Sequence, residues 1–367
     1  MEKKDLKIIF MGTPEFAVAS LRALVENGYQ VVAVVTQPDK PVGRHQDRLQ
    51  PPAVKVYAQE HNIPVLQPVK MKDPEFVEAL RAYEADLQVV VAFRLLPEII
   101  WDMPRFGTFN VHAALLPQYR GAAPINWAVI NGETETGVTT FFLDKDVDTG
   151  RIILQKPFPI PADADVEYVY DGLMNLGAGL ALETIDLMLA HDGNIPSKDQ
   201  QQIIDEAQLG DLKPAPKIFK ETCEIQWQQT AKQLHDFVRG LSPVPGSWTT
   251  VSVDGKPTTT LKIYKAAPTA RPATGAPGTF VLEKGHIYVN ATDLQLELLE
   301  VQLSGKKRMD ARSFVNGVRT VERLGRLCRF NTDCRVGKTT NTTFTTSCNL
   351  SLEPSCCKVN NKTQRFR

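Results

Sequence analysis

The stretch LKIIFMGTPEFAVASLRALVENG, Leu6–Gly28, determines the fold class. It opens with the apolar run Ile8–Met11, which is the length of a buried strand. A helical pattern follows, with Thr13 as its cap, Pro14 in its first turn and Gly28 just past its end. The stretch therefore predicts a buried strand followed by an amphipathic helix.

This strand and helix pattern repeats along the first half of the chain. The run QVVAVV begins at Gln30, a second helix pattern has Asp73 as cap with Pro74 inside, and the strand DLQVVVAF follows from Asp86. Near-continuous apolar strands that alternate with helices indicate a parallel sheet covered on both faces. The sequence thus predicts an α/β, Rossmann-like parallel-sheet domain, whose ligands bind beyond the carboxyl ends of the strands.

The second half of the chain has a different pattern, a linker followed by short strands. The segment AQLGDLKPAPK has the glycine and proline spacing of a linker. Short strand patterns follow it, including a hairpin that turns at Asp254 and Gly255. We expect a first domain over 1–205, a linker over 206–216, a small OB-like β-barrel over 217–319 and an atypical tail over 320–367.

Charge is distributed unevenly along the chain. The overall net charge is zero, but residues 1–210 carry net −11, residues 211–320 net +5 and residues 321–367 net +6. A basic second half favours a polyanionic partner, and short strands with basic side chains suit a barrel that holds a nucleic acid by its backbone. Ordinary scatter of surface charge, or a charged solvated rim, is the alternative.

Targeting signals and the distribution of cysteines indicate the cellular compartment of the protein. The run Ile8–Met11 is too short for a signal-peptide core, and we expect no stretch of about 18 apolar residues that could span a membrane. Cys223 is the one cysteine in the first 320 residues. These features favour a reducing, cytoplasmic environment.

The tail changes character from about Thr320. It is rich in Thr, Asn, Cys and Arg, shows no periodicity, and its five cysteines lack CxxC spacing. We expect a non-native or frame-shifted terminus that is disordered in solution. A natural redox or metal-binding tail is the rival interpretation.

Candidate chemistry centres on the stretch FNVHAALLPQYRGAAP, Phe109–Pro124. On a strand, Asn110 and His112 share one face while Val111 packs behind. The pair is either a satisfied structural pair or half of an active site. The acidic turn downstream, which ends at Asp148, offers a carboxylate; together these residue types suit acyl transfer without a covalent enzyme intermediate.

Other site classes are poorly supported by the sequence. GTPEF stands where a dinucleotide fold needs GxGxxG, and there is no Walker or GxSxG motif. The acidic segment DKDVDTGRIILQ has Gly150 one place late for a calcium loop, and Gln155 where a bidentate Glu is needed. We therefore expect no metal.

The stretches FMGTPEFAV, TQPDKPVGR and NVHAALLPQYRGAAPINWAVINGETETGVTTFFLDKDVDTGRI together resemble the bacterial methionyl-tRNA formyltransferase family. The resemblance runs from about Lys7 to Arg319. The Asn-x-His and Asp-x-Gly elements belong to all folate-dependent formyltransferases. The proline-rich loop around Arg44 and the basic β module favour the tRNA enzymes among them.

The resemblance implies formyl transfer from 10-formyltetrahydrofolate to the α-amine of methionyl-initiator tRNA. We further expect a monomer that binds no membrane. The resemblance implies that Asn110 and His112 stabilise the tetrahedral intermediate while Asp148 orients or charges His112. It further implies a folate-contacting stretch and a tRNA-contacting set. The folate-contacting residues are Ala114, Leu115, Leu116 and Pro117, and the tRNA-contacting residues are Arg44, Arg48, Lys262, Lys306, Lys307 and Arg308.

The sequence departs from the family pattern at two places. Asp47 leaves only Arg48 as a basic residue in HQDRLQ, and Phe93-Arg94 replaces a common Tyr-Gly pair beside the folate pocket. Two other functions remain as alternatives: a formyltransferase that acts on a nucleotide-sugar amine, and an inactive tRNA-binding protein on the same scaffold.

Overall fold

A computed structural model of the chain describes residues 2–42 and 48–323. Arg44 and the tail beyond Arg323 lie outside the described residues. The first domain is built on a seven-stranded sheet, with a two-stranded hairpin beside it. The strands are β1 Lys7–Gly12, β2 Gln30–Val35, β3 Lys40–Val42, β4 Arg48–Gln50, β5 Val65–Leu66, β6 Leu87–Val91, β7 Thr108–His112, β8 Glu135–Phe142 and β9 Ile152–Pro159.

Strand order in the large sheet is β5-β2-β1-β6-β7-β8-β9. The pairs from β5 to β7 are parallel, as the sequence predicts. The pairs β7–β8 and β8–β9 are antiparallel, which adds two strands to one edge of the sheet, with the acidic turn between them. The result is a mixed, Rossmann-like sheet, with the chemistry-bearing strand β7 at the junction of its two parts.

Helices cover both faces of this sheet. Asp73 caps the third helix by accepting from the Glu75 N–H, as predicted. The predicted cap at Thr13 is wrong, because the first helix begins at Glu15 and the buried Thr13 hydroxyl has no partner in the part of the chain that the structure describes. The helices are α1 Glu15–Glu26, α2 Ala53–Glu60, α3 Pro74–Arg81, α4 Glu98–Trp101, α5 Pro124–Ile130, α6 Val166–Ala190 and α7 Gln200–Glu206.

Helix α6 spans 25 residues, and its length and mean hydropathy of 1.4 would suffice to cross a membrane, so the expectation of no such stretch is wrong. It packs on α1 and on strands β8 and β9. Its Thr184 hydroxyl pairs with Thr140 of β8 at 2.8 Å, and its Asp186 pairs with Tyr29 and Lys3. These contacts make α6 a core helix of the first domain.

The segment predicted as a linker is held along the first domain. Tyr119 N–H donates to Lys213 O at 2.7 Å, and Ala215 exchanges backbone hydrogen bonds with Arg120 and Ala123. Ala215 is fully buried. The chain leaving the first domain therefore passes beside the loop that follows β7.

The second domain is an antiparallel sheet of order β12-β13-β14-β11-β10-β16, with β15 paired to β14. Strands β12 and β16 contact each other, so the sheet curls into a nearly closed barrel as predicted. A helix capped by Thr230 packs on it. The elements are α8 Ala231–Gly240, β10 Ser247–Val253, β11 Thr259–Pro272, β12 Phe280–Glu283, β13 His286–Asn290, β14 Leu294–Leu303, β15 Met309–Asp310, α9 Ala311–Asn316 and β16 Val321–Arg323.

Strand β16 lies within the segment predicted to be atypical from residue 320. Its residues pair with Val251–Val253 of β10, and Val321 is buried in the barrel core. The ordered barrel thus extends at least three residues past the predicted start of the tail.

Helices α5 and α8 pack together where the two domains meet. Asn126 donates to Gly240 O at 2.9 Å, and the buried Arg239 donates to Ala164 O at 2.8 Å. Arg239 also pairs with the buried carboxylate of Asp236. Because α5 begins in the loop that follows β7, this contact links the barrel to the region of Asn110 and His112.

The His235 imidazole on α8 gives a testable pH dependence. Burial lowers the pKa of His235, and Arg239 and Lys232 lower it further, while Asp236 and Asp163 oppose the shift. A lowered pKa in the folded state means that the unfolded state binds the proton more tightly, so stability is present above the ordinary pKa of about 6.5 and falls below it. Urea unfolding between pH 8 and pH 5 should show this fall in the wild type and a smaller one in His235→Phe. Parallel curves for the two proteins would contradict it.

Candidate active site

Strand β7 brings Asn110 and His112 to one wall of a cavity of about 610 Å³. The cavity lies beyond the carboxyl ends of β6 and β7, where parallel sheets bind their ligands. Val111 points the other way and is 3% exposed in the main core. The sequence prediction that the amide and the imidazole converge is therefore confirmed in this structure.

The His112 ring is held by a backbone carbonyl. Its Nε2 lies 2.9 Å from Tyr119 O. A carbonyl oxygen only accepts hydrogen bonds, so Nε2 carries a proton and donates it. In the neutral ring, Nδ1 is then the nitrogen with the free lone pair, and it faces Asp148, with Nδ1 and Oδ2 3.8 Å apart.

The carboxylate of Asp148 is aimed by the loop after β7. Its Oδ2 accepts from the Gly121 N–H at 2.9 Å. The distance between Asp148 Oδ2 and His112 Nδ1 is too long for a hydrogen bond, so Asp148 acts on the ring through its charge. Tyr119, rather than Asp148, fixes the tautomer of His112.

Gly121 and Gly150 allow the backbone segments around Asp148 to pack closely against neighbouring backbone. A Cβ at Gly121 would lie 2.4 Å from Ala215 O, and its φ of +129° is one that other residues rarely adopt. A Cβ at Gly150 would lie 1.7 Å from Phe142 O. Asp148 itself has φ +56°, a left-handed conformation that Asp tolerates better than most residues.

Gln200, the first residue of α7, was missed by sequence reasoning. Its side chain is 2% exposed, and Nε2 donates to Asp148 O at 3.0 Å and to Gly150 O at 2.8 Å. Its Oε1 accepts from Arg120 Nε at 3.0 Å and Nη2 at 2.6 Å. The amide thus joins the acidic turn to the loop after β7. Three consecutive glutamines, Gln200–Gln202, do not indicate a functional residue in the sequence. Only the folded structure shows that the first of them is buried.

Gln200 is therefore a positioning residue, and Gln200→Ala is expected to lower kcat about 10- to 100-fold, because the turn that carries Asp148 loses its anchor. The free energy of unfolding should fall by about 2–4 kcal/mol, since buried carbonyls and Arg120 lose partners. Steady-state kinetics and thermal unfolding check both effects.

The matched control is Gln201→Ala, one residue further along α7. Gln201 is exposed and its side chain bonds only to Asp205. It should match the wild type in kcat and melting temperature. Wild-type kcat in Gln200→Ala would refute the positioning role.

Asn110 has an unmet hydrogen-bonding capacity. Its Oδ1 is buried and has no partner among the described residues. A buried acceptor without a partner costs free energy, so a donor group bound in the cavity would remove that cost. This is the behaviour expected of a side chain that binds a ligand.

The rest of the cavity is mostly apolar. Phe93, Leu96 and Trp101 line it beyond the end of β6. Arg94 donates to the carbonyls of Pro68 and Val69, and burial lowers its pKa. Its Nε is buried and has no partner among the described residues. An apolar cavity of this size with a few fixed polar groups suits a small organic ligand.

The stretch Ala114–Pro117 directly follows the cavity-lining Ala113, and its contact with a folate stays a prediction. Thr139 of β8 binds Ala114 O and Leu116 N, and Gln155 donates to Leu116 O. These three backbone groups are therefore bonded inside the domain. Only the preceding Ala113 reaches the cavity wall.

The basic residues predicted to contact tRNA fall in different places. Arg44 lies outside the described residues, and Arg48 is exposed on the β3–β4 hairpin. Lys262 lies on β11 opposite Gln302, which donates to Lys306 O. Lys306 and Lys307 are exposed, whereas the guanidinium of Arg308 is paired with Glu300 and stacks on Tyr264. Lys262 and Lys306 thus belong to one region of the barrel.

Comparison with known proteins identifies both domains. A family model described as formyl transferase matches residues 6–185, and one described as formyl transferase, C-terminal domain, matches residues 217–319. A methionyl-tRNA formyltransferase of Parabacteroides distasonis is 56% identical over 88% of this chain and 98% of its own length. One of Bacteroides fragilis is 50% identical over the same shares.

Among solved structures, an N-formyltransferase from Helicobacter canadensis, in complex with folinic acid and dTDP-3-aminofucose, matches 80% of this chain and 98% of its own. The TM-score is 0.57 at 20% identity, which supports the fold alone. The two family matches and the identity of half or more to full-length relatives settle the family. The chain belongs to the methionyl-tRNA formyltransferases, within the formyl transferase family.

Proposed function

We propose that this chain transfers the formyl group of 10-formyltetrahydrofolate to the α-amine of methionine on initiator tRNA, with Asn110, His112 and Asp148 as its catalytic residues. The observation that carries the proposal is the His112 geometry. Nε2 is tied to Tyr119 O, while Nδ1 is left beside Asp148 in a cavity shared with Asn110.

Each of the three residues has a role that follows from its contacts. Nδ1 of neutral His112 accepts a proton from the attacking amine, and the charge of Asp148 stabilises the imidazolium that results. The imidazolium then gives this proton to N10 as the bond between N10 and the formyl carbon breaks. The Asn110 amide donates to the formyl oxygen as negative charge develops there. No enzyme nucleophile is required, because the substrate amine supplies it.

The residues of the cavity fit the formyl donor. When bound, 10-formyltetrahydrofolate supplies an activated formyl group at its N10 nitrogen. Phe93, Leu96 and Trp101 give a flat ring system an apolar surface, and the unpaired Nε of Arg94 offers a donor beside it. We propose these residues, together with Ala114–Pro117, as the contacts of the folate ring.

The acceptor is proposed to be held by the basic barrel and by Arg48. Lys262, Lys306 and Lys307 give the barrel a cationic region that phosphates can neutralise. We also propose that the protein acts as a monomer in the cytoplasm, since one chain carries both the catalytic cavity and this basic region.

A formylation assay tests the proposed function. The full-length protein is incubated with 10-formyltetrahydrofolate and either methionyl-initiator tRNA or a dTDP-linked amino sugar. We expect turnover with the tRNA only. Turnover with the amino sugar alone would replace the tRNA assignment by the nucleotide-sugar alternative, which relatives of 46–56% identity named as methionyl-tRNA formyltransferases do not favour.

tRNA binding by this chain should weaken steeply with salt. Each phosphate that a lysine or arginine neutralises releases counterions, so the logarithm of the association constant should fall linearly with that of the salt concentration. Filter binding at 50–200 mM KCl measures the slope. A flat dependence would contradict the role of the basic barrel.

A further inference from the structure

The carbonyl that holds His112 belongs to a residue with an unusual backbone conformation. Tyr119 has φ +61°, in the left-handed region that a residue with a bulky side chain adopts only at a cost in free energy. Its ring is 5% exposed and belongs to the main core of the first domain. Contacts with the rest of the chain must therefore keep Tyr119 in this conformation, with its carbonyl aimed at His112 Nε2.

Both ends of Tyr119 are held by hydrogen bonds. The backbone N–H donates to Lys213 O at 2.7 Å. At the far end of the ring, the hydroxyl donates to Glu133 Oε1 and accepts from Asn131 Nδ2, which lies 3.2 Å away. A phenol has one hydrogen to donate, and Glu133 receives it. The position of the ring, and of the backbone carbonyl of the same residue, thus depends on Glu133.

Glu133 also joins Tyr119 to a second segment of the chain. It follows α5, and the same Oε1 accepts from Lys213 Nζ at 2.6 Å. Hydrogen bonds to an ionised group are stronger than those between neutral groups, so this carboxylate is a firm anchor. We call Tyr119, Asn131, Glu133 and Lys213 the tyrosine network. None of the four lines the catalytic cavity, and their direct connection to the reacting groups is the Tyr119 carbonyl.

The tautomer of His112 is set by two groups that favour opposite positions of the proton. The Tyr119 carbonyl accepts from Nε2 and favours the proton there. The negative charge of Asp148, 3.8 Å from Nδ1, favours a proton on Nδ1 instead. If the carbonyl moves away, the tautomer with the proton on Nδ1 becomes populated, and that nitrogen then has no lone pair for the amine proton. The form of the ring that can act as a base therefore requires the carbonyl to stay in place.

We propose that Glu133 is a positioning residue, which fixes the Tyr119 ring and thereby keeps the proton of neutral His112 on Nε2. The proposal rests on the proposed function, because it takes Nδ1 as the proton acceptor. It gives Glu133 an effect on the tautomer and on kcat, and none on the affinity for either substrate.

Glu133→Ala and Tyr119→Phe each remove one partner of the same hydrogen bond. Both should lower kcat for formylation of methionyl-tRNA about 3- to 10-fold with unchanged KM for both substrates, since one net hydrogen bond changes a population by about that factor. The double variant should be no slower than either single variant, because both substitutions break one contact. Glu133→Gln keeps an oxygen that accepts from the hydroxyl and should recover most of the wild-type kcat.

The tautomer is measured directly by NMR of the full-length protein labelled with ¹⁵N-histidine. In a neutral ring the unprotonated nitrogen resonates well downfield of the protonated one, and His112→Gln identifies the signals of His112 by their absence. The wild type should show Nδ1 unprotonated. Glu133→Ala and Tyr119→Phe should shift part of the population toward the form with the proton on Nδ1, whereas Glu133→Gln should not.

The matched control is Glu135→Ala. Glu135 is an exposed carboxylate two residues after Glu133, at the start of β8. It should leave kcat and the His112 signals as in the wild type. Thermal unfolding of each variant checks that it folds, and Tyr119→Phe retains the buried ring, so at least this variant is expected to keep the fold.

The two measurements separate the possible failures. If the wild type does not formylate methionyl-tRNA, the proposed function fails, while the NMR spectra still test the role of Glu133. If the wild type is active but Glu133→Ala and Tyr119→Phe keep the wild-type tautomer, Glu133 does not position His112, whatever the change in kcat. A rise in KM for tRNA with unchanged kcat would also overturn the positioning role.

Discussion

Replacing His112 by alanine should lower kcat for formyl transfer by about 10²- to 10⁴-fold and leave the affinity for tRNA nearly unchanged. The reason is that we propose Nδ1 of His112 as the proton acceptor for the amine, and general base catalysis typically contributes a factor of that size. Single-turnover formylation and filter binding measure the two effects separately. The ring is 6% exposed and contacts Phe141 edge-on, so thermal unfolding must show that the variant folds.

His112→Gln distinguishes two possible roles of His112, which are proton acceptance by Nδ1 and positioning of the loop after β7 through Tyr119 O. The glutamine amide can still donate to Tyr119 O in place of Nε2, but it has no nitrogen in the position of Nδ1 that accepts a proton. We therefore expect it to be as inactive as His112→Ala, with better stability. The control is His61→Ala, at the end of α2, which should keep wild-type turnover. Full activity in His112→Gln would show that positioning the loop is the whole contribution of His112.

Removing the charge of Asp148 should lower kcat by about 10²- to 10³-fold. At the 3.8 Å that separates Asp148 Oδ2 from His112 Nδ1, an effective dielectric constant of about 20 makes the attraction to the imidazolium about 4 kcal/mol, an upper bound that corresponds to roughly a thousandfold. Asp148→Asn tests this, because asparagine tolerates the left-handed backbone and can still accept from the Gly121 N–H.

Asp148→Ala should be equally slow and also less stable. It loses the hydrogen bond from Gly121, and a left-handed backbone at a residue with a plain Cβ costs about 1–2 kcal/mol. Asp171→Asn, an exposed carboxylate on α6, is the control for charge removal. Wild-type kcat in Asp148→Asn would mean that the carboxylate acts only as a hydrogen-bond acceptor for the loop.

Much of the fold was predictable because its signals are local. The caps at Asp73 and Thr230 bond to backbone groups two or three residues away, so a short window of sequence contains both partners. Helix α6 begins and ends where its hydrophobic pattern does, at Val166 and Ala190. The shared face of Asn110 and His112 follows from the two-residue period of a strand.

The misses have a different origin. Gln200 and Asp148 are 52 positions apart, and Lys213 and Gln118 are 95 apart, yet each pair is hydrogen-bonded. No local pattern records such contacts. Ala114 and Thr139 are 25 positions apart, and Leu116 and Gln155 are 39 apart, and these pairs are hydrogen-bonded as well.

The need for glycine at position 121 also comes from contacts with residues that are distant in the sequence. Sequence suggests only a turn there, whereas the structure shows that its N–H holds Asp148 and that its missing Cβ admits the chain at Ala215.

The sequence by itself determined the strand and helix order, the two-domain plan and the family. It also selected Asn110, His112 and Asp148 as the candidate catalytic residues. Only the tertiary structure decided the tautomer of His112, the role of Gln200 and the walls of the catalytic cavity. The physical reason is range. Backbone periodicity and capping act over a few residues, whereas the geometry of a site depends on which distant segments the packed sheet and helices bring into contact.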